Sequence, residues 1–216
     1  REHTTTSWEK LEVMILAARS TGTPVIVRVE DNDPVSIRRV IEIGAQGVLV
    51  PHVRDRAEAE ALVKAAKFPP EGIRGLAGTV RSAKYNVEDW DEYIERSNRE
   101  VLVCALIEDK SGIENIEEIV SVKGLDCVCF GYLDYSGSVG VPGQGFKAKE
   151  VSDAFDRLVE AAKKAGVYIW LSPAPSLEVA KRLIEKGVQI LVLGTDLRIF
   201  YNGMKNIMEN IVKKLK

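Results

Sequence analysis

Two carboxylates stand where apolar runs give out. The run "VLVCALIE" (101 to 108) ends on Glu108, and "CVCFG" (127 to 131) ends at Gly131, three residues before Asp134. Brought into one cavity, two such groups offer hard oxygen ligands and leave other positions to water and substrate. That suits Mg²⁺ or Mn²⁺, ions that dehydrate reluctantly. Taken singly, each carboxylate can equally cap a following helix: "DYSGS" reads as a helix start at Asp134, while Asp109 or Ser111 is the better cap beside Glu108. Arg28 interrupts "VIVRV" (25 to 29), an expensive place for a guanidinium unless it projects beyond the core. There it can bind a carboxylate or an enolate oxygen, or it can pair with Glu30 or Asp31. The glycines of "FGYLDYSGSVGVPG" leave backbone N–H groups beside Asp134 that can receive a small carboxylate, or they form a flexible connection.

Such residues meet only if the fold gathers them. Six short apolar runs, 25 to 29, 47 to 51, 101 to 108, 127 to 131, 167 to 172 and 190 to 194, have the near-continuous character of strands covered on both faces. Amphipathic segments alternate with them, at 7 to 21, 34 to 44, 55 to 67, 112 to 121, 147 to 165, 175 to 187 and 196 to 215. Strand followed by helix with short connections demands parallel strands and right-handed crossovers. The Gly-x-Gly-x-x-Gly fingerprint of an open dinucleotide-binding sheet is absent, and polar residues recur at strand ends, so the pattern predicts an α/β (β/α)8 barrel. The strand count is short. With a seventh strand ending at Glu2 and His3, the reading leaves the first strand, the first helix and most of the second strand missing. Residues 1 to 216 form a single domain, with an excursion over 68 to 100 between strands and a C-terminal helix over 196 to 216.

A barrel collects its strand C-termini at one mouth. The residues there are Glu2, His3, Arg28, Glu30, Pro51, His52, Glu108, Asp134, Ser172, Thr195 and Asp196, a set that includes both histidines of the chain.

Composition excludes other classes. A formal charge of -2 with both signs interspersed gives no basic surface for nucleic acid. No apolar run reaches membrane-spanning length. Cys104, Cys127 and Cys129 sit inside apolar runs and are odd in number, which reads as reduced core thiols in the cytoplasm.

The stretches "EH", "VRVEDNDPVSIRRVIEIGAQGVLVPHV", "FPPEGIRGLAGTVRSAKYN", "LIEDKSGIENIEEI" and "LDYSGSVGVPG", in this order and spacing, resemble the HpcH/HpaI class II pyruvate-dependent aldolases, which include 2-dehydro-3-deoxyglucarate and 4-hydroxy-2-oxoheptanedioate aldolases. The resemblance implies that Glu108 and Asp134 hold a divalent ion, Mg²⁺ or Mn²⁺ with Co²⁺ as a further candidate. It implies that Arg28 contacts the pyruvyl oxygens, that Gly131, Tyr132, Leu133 and Asp134 border the pyruvate site, and that His3 moves protons with an acid on the helix before "GAQG". That acid is commonly aspartate and is Glu42 here. The implied reaction cleaves a 4-hydroxy-2-oxoacid to pyruvate and an aldehyde, and the implied assembly is a hexamer, a trimer of dimers, with exchanged terminal helices. Tyr132, Tyr135 and Leu106 depart from the family pattern in the expected pyruvate pocket. A citryl- or malyl-CoA type lyase on the same superfold, and a non-catalytic metal-binding relative, are the alternatives.

Overall fold

The computed structural model describes residues 1–173 and 175–215. The final position of the helix expected over 196 to 216 lies outside the described residues. Strand and helix alternate as the periodicity requires. The order is α1 (Trp8–Ser20), β1 (Ile26–Arg28), α2 (Pro34–Glu42), β2 (Gly47–Val50), α3 (Arg56–Ala66), α4 (Trp90–Glu100) and β3 (Leu102–Ile107), then α5 (Lys110–Glu114), α6 (Ile116–Val120), β4 (Cys127–Phe130), α7 (Tyr132–Ser138), α8 (Lys149–Ala165), β5 (Tyr168–Leu171), α9 (Leu177–Lys186), β6 (Ile190–Leu191) and α10 (Asp196–Asn210). Local chemistry sets the helix starts. The side chains of Ser7, Asp33, Asp55, Asp89, Ser176 and Thr195 each accept a hydrogen bond from a backbone N–H in the first turn of α1, α2, α3, α4, α9 and α10.

All six strands pair in parallel in chain order, β1 to β6. Side chains of alternating parity serve two layers. Val27, Val48, Val50, Val103, Ala105, Ile107, Val128, Phe130, Ile169 and Leu171 pack outward with helix residues such as Ile37, Leu62, Ile119 and Leu158. The opposite parity, Leu49, Cys104, Leu106, Cys127 and Cys129, forms a separate apolar cluster, with Ile26, Trp170 and Ile190 packed against it. The sheet curls around this second cluster as an incomplete barrel.

Three details differ from expectation. Residues Glu2 and His3 form a turn rather than the end of a further strand. The helix expected over 112 to 121 is two short helices, because Asn115 leaves helical geometry and its side-chain amide donates to the Arg54 carbonyl at 3.0 Å. The 68 to 100 excursion is ordered by a small core of its own, Phe68, Ala83 and Tyr93, beneath α4. No helix among the described residues is long and apolar enough to cross a membrane.

Candidate active site at the strand ends

The inward parity of β3 runs Cys104, Leu106 and then, one step beyond the strand, Glu108; that of β1 runs Ile26 to Arg28, and that of β4 runs Cys127, Cys129 to Gly131. Leu106 is the register partner of Cys129, so Glu108 stands beside Gly131. The ladder continues past the strand, since the Gly131 N–H donates to the Ile107 carbonyl at 2.9 Å. A Cβ on Gly131 would lie 2.6 Å from Glu108 Cβ and 2.9 Å from Oε2. Only glycine permits that approach.

Glu108 is 1% exposed. Its Oε2 lies 3.4 Å from Arg28 Nη2, and its Oε1 accepts from the His52 backbone N–H at 3.1 Å. Burial outweighs these partners and pushes its carboxyl up to about 7; the Arg28 guanidinium and the His52 amide pull the other way, and the charge of Asp134 adds to the rise. Arg28 Nε is also ion-paired with Glu2. His52 holds a left-handed backbone, φ 54°, which turns both its amide and its ring onto the site. Its Nδ1 is 3.0 Å from Asp109 Oδ2 and 3.5 Å from Glu108 Oε1. Burial pulls the imidazole pKa down, but the Asp109 hydrogen bond and the charges of Glu108, Asp109 and Glu2 hold it above its ordinary value. One ligand atom each from Glu2, His52 and Glu108 lies within 4.8 Å of the others, a group able to hold a metal ion.

The structure thus brings Arg28, Glu108 and Gly131 together. Asp134 lies in the first turn of α7, exposed and near enough for its charge to act on Glu108. Leu133 is exposed beside it.

Two expectations need correction. His3 is not paired with Glu42: its Nε2 faces Glu2 at 3.8 Å, while Glu42 lies 3.7 Å from Arg38. The reason is topological. Glu42 ends α2, which runs back against the strands, so it sits at the opposite end of the sheet from the mouth. The rings of Tyr132 and Tyr135 do not line the mouth either. Tyr132 packs on Phe146 with centroids 5.0 Å apart, and buried Tyr135 packs on Phe130 at 5.4 Å, both in the layer between sheet and helices. Leu106 does lie directly beneath Glu108, in the inner cluster.

Glu2 and His52 were legible as strand-end residues, but nothing in the sequence gave them a role. The signal that assigns one is the turn that carries Glu2 to Arg28 and the left-handed residue that carries His52 to Glu108.

A parallel sheet curled round an apolar floor, with acids, a guanidinium and an imidazole at its carboxyl ends, defines a barrel-type enzyme. The comparisons agree with that class and narrow it. The sequence profile of the HpcH/HpaI aldolase/citrate lyase family matches residues 10–203. The chain belongs to this family, and is a carbon–carbon lyase of the aldolase kind. The 5-keto-4-deoxy-D-glucarate aldolase of Shigella boydii serotype 18 is 28% identical over 202 residues, 92% of this chain and 76% of its own. Among solved structures, the HpcH/HpaI aldolase from Desulfitobacterium hafniense DCB-2 is similar with a TM-score of 0.88 and 28% identity, over 96% of this chain and 81% of that one. The citrate synthase SbnG is similar with a TM-score of 0.89 and 29% identity, over 99% and 82%.

Proposed function

We propose that the protein is a divalent-metal-dependent aldolase that cleaves 4-hydroxy-2-oxoacids to pyruvate and an aldehyde. The observation that carries this reading is Glu108, a fully buried carboxylate at the mouth whose charge is only partly compensated by its neighbours. The donors fit a hard or borderline cation. Glu2, Glu108, Asp109 and Asp134 gather there, and Arg28 is the one permanently charged group that touches Glu2 and Glu108 among the described residues. Glu108 and Asp134 would hold Mg²⁺, Mn²⁺ or Co²⁺. When bound, the ion supplies Lewis acidity to the 2-oxo and carboxylate oxygens of the pyruvyl group.

The chain's own residues supply the rest. As the C3–C4 bond breaks, its electron pair moves to C3 and negative charge grows on the 2-oxo oxygen, to which the Arg28 guanidinium donates. The pair of acids on either side, Glu2 and Glu108, fixes that guanidinium. His3 takes the C4 hydroxyl proton in cleavage and returns it in condensation, a step worth about 10²- to 10⁴-fold, and C3 of the enolate takes a proton from solvent water to give pyruvate. Glu2, rather than Glu42, is the acid beside it. Gly131 lets Glu108 approach the end of β4 closely, and the backbone of Tyr132 and Leu133 follows it at the mouth. The apolar floor under Glu108 excludes water from that side.

The remaining expectations belong to the same reading: a single domain of (β/α)8 barrel type, acting in the cytoplasm as a homo-oligomer, a hexamer built as a trimer of dimers. The exposed apolar residues of α10, including Leu197, Ile199 and Phe200, support a role for this helix in assembly.

Similarity to a citrate synthase favours a second reading, in which the same site works on a citryl- or malyl-type substrate. The test is pyruvate release from a panel of 4-hydroxy-2-oxoacids beside cleavage of citryl- and malyl-CoA, with Mg²⁺, Mn²⁺ and Co²⁺ in turn. Turnover of the oxoacids supports the aldolase, turnover of the thioesters alone supports the second reading, and background rates throughout reject both.

A further inference from the structure

His52 takes no part in the proton transfer described above, yet the fold spends backbone strain on placing it. A non-glycine residue at φ 54° is uncommon, although histidine tolerates this region better than most. The consequence is specific. The same residue donates its backbone N–H to Glu108 and sets its ring Nδ1 3.5 Å from that carboxylate. Asp109, the residue after Glu108, then anchors Nδ1 at 3.0 Å. That hold on Nδ1 leaves Nε2 as the ring nitrogen able to ligate, the arrangement in which a carboxylate steadies a metal-binding histidine through its other nitrogen. Glu2 completes the group, with a ligand atom within 4.8 Å of both others, although it comes from a different part of the chain.

We propose that His52 is a nitrogen ligand of the cation held by Glu108 and Asp134, with Glu2 as a further donor, so that this mouth selects a first-row transition ion over Mg²⁺. The inference rests on the reading of Glu108 as a cation ligand and deepens it. Carboxylate oxygens alone suit Mg²⁺ and Mn²⁺, whereas an imidazole nitrogen adds affinity for Co²⁺, Ni²⁺, Cu²⁺ and Zn²⁺ and almost none for Mg²⁺. Of the ions considered above, Co²⁺ is the one this site would favour.

The test uses the whole chain, stripped of metal by chelator, and metal ions as the only probes. Calorimetric titrations with Co²⁺ and with Mg²⁺ give the ratio of affinities, and the spin-resonance spectrum of bound Cu²⁺ reports nitrogen coordination directly. His52→Asn keeps a residue that accepts the left-handed backbone, and His52→Gly removes the strain altogether. The proposal expects Co²⁺ to bind far more tightly than Mg²⁺, both substitutions to cost about 10- to 100-fold in Co²⁺ affinity with little change for Mg²⁺, and nitrogen splitting in the wild-type Cu²⁺ spectrum alone. If Co²⁺ and Mg²⁺ affinities are unchanged in both variants and the wild-type spectrum lacks nitrogen splitting, His52 is no ligand, while Glu108 as a cation site stands. If the wild-type protein binds none of these ions, both readings fall.

Discussion

The concave face of the sheet has a floor and a rim, and one strand connects them. Along β3 the inward side chains are Cys104, Leu106 and Glu108. The floor is apolar and buried, and two of its thiols are pushed up in pKa: Cys104 by its hydrogen bond to Cys127 and by burial, Cys129 by burial. A step of two residues further, the rim carries a buried carboxylate, a guanidinium and an imidazole in contact. The difference teaches how the site is made. A dry floor raises the energy of any charge set on it, so the rim gives up stability to keep Glu108 where a cation and substrate can use it.

Glu108→Gln breaks the comparison most severely. It should lower the rate of pyruvate release by at least about 10²-fold while the metal-free protein melts no lower than wild type. The pH dependence has a definite sign. The folded-state pKa of Glu108 lies above that of an unfolded glutamate, so wild-type stability falls as pH rises from the ordinary carboxylate range through about 7. Thermal melts in chelator should show the variant gaining relative to wild type at pH 8 compared with pH 5.

Leu106→Ala attacks the floor instead. Denaturant unfolding should show a loss of about 2–5 kcal/mol, with the folded fraction retaining more activity than Glu108→Gln. Gly131→Ala joins the two levels, because its new Cβ must displace Glu108. A destabilisation of about 1–3 kcal/mol accompanied by a drop in kcat is expected from melts and steady-state kinetics. Tyr135→Phe is the smallest change. The residue packs behind the sheet, so kcat and KM should both stay within about threefold of wild type, whereas a pocket role would move KM.

The floor and the strands were legible because apolar runs of β-branched residues have one economical use in a chain that alternates them with amphipathic helices. Glu108 and Arg28 were legible for the same reason: each interrupts or ends such a run. The short helix α7 was legible only as an alternative capped by Asp134. It begins instead at Tyr132, after Gly131, a start left unmarked because "YLDYSGS" contains two serines and a glycine and lacks a long apolar stripe. Its formation moves Asp134 from a strand end to a helical turn. The acid partner of His3 was misplaced because position along a helix says nothing about which end of the sheet that position reaches until the direction of the helix is considered; α2 carries Glu42 away from the mouth. His52 and Glu2 acquire partners only through a left-handed residue and a turn, conformations that no periodicity announces.

The most direct measurement of the central claim is the rate of pyruvate release from a 4-hydroxy-2-oxoacid by wild type and Glu108→Gln, before chelation, after it, and after restoring Mg²⁺, Mn²⁺ or Co²⁺. The account predicts that chelation removes at least about 10²-fold of the wild-type rate, that a divalent ion restores it, and that the variant stays at background throughout. A wild-type rate indifferent to the chelator, or a variant that turns over normally, would contradict it.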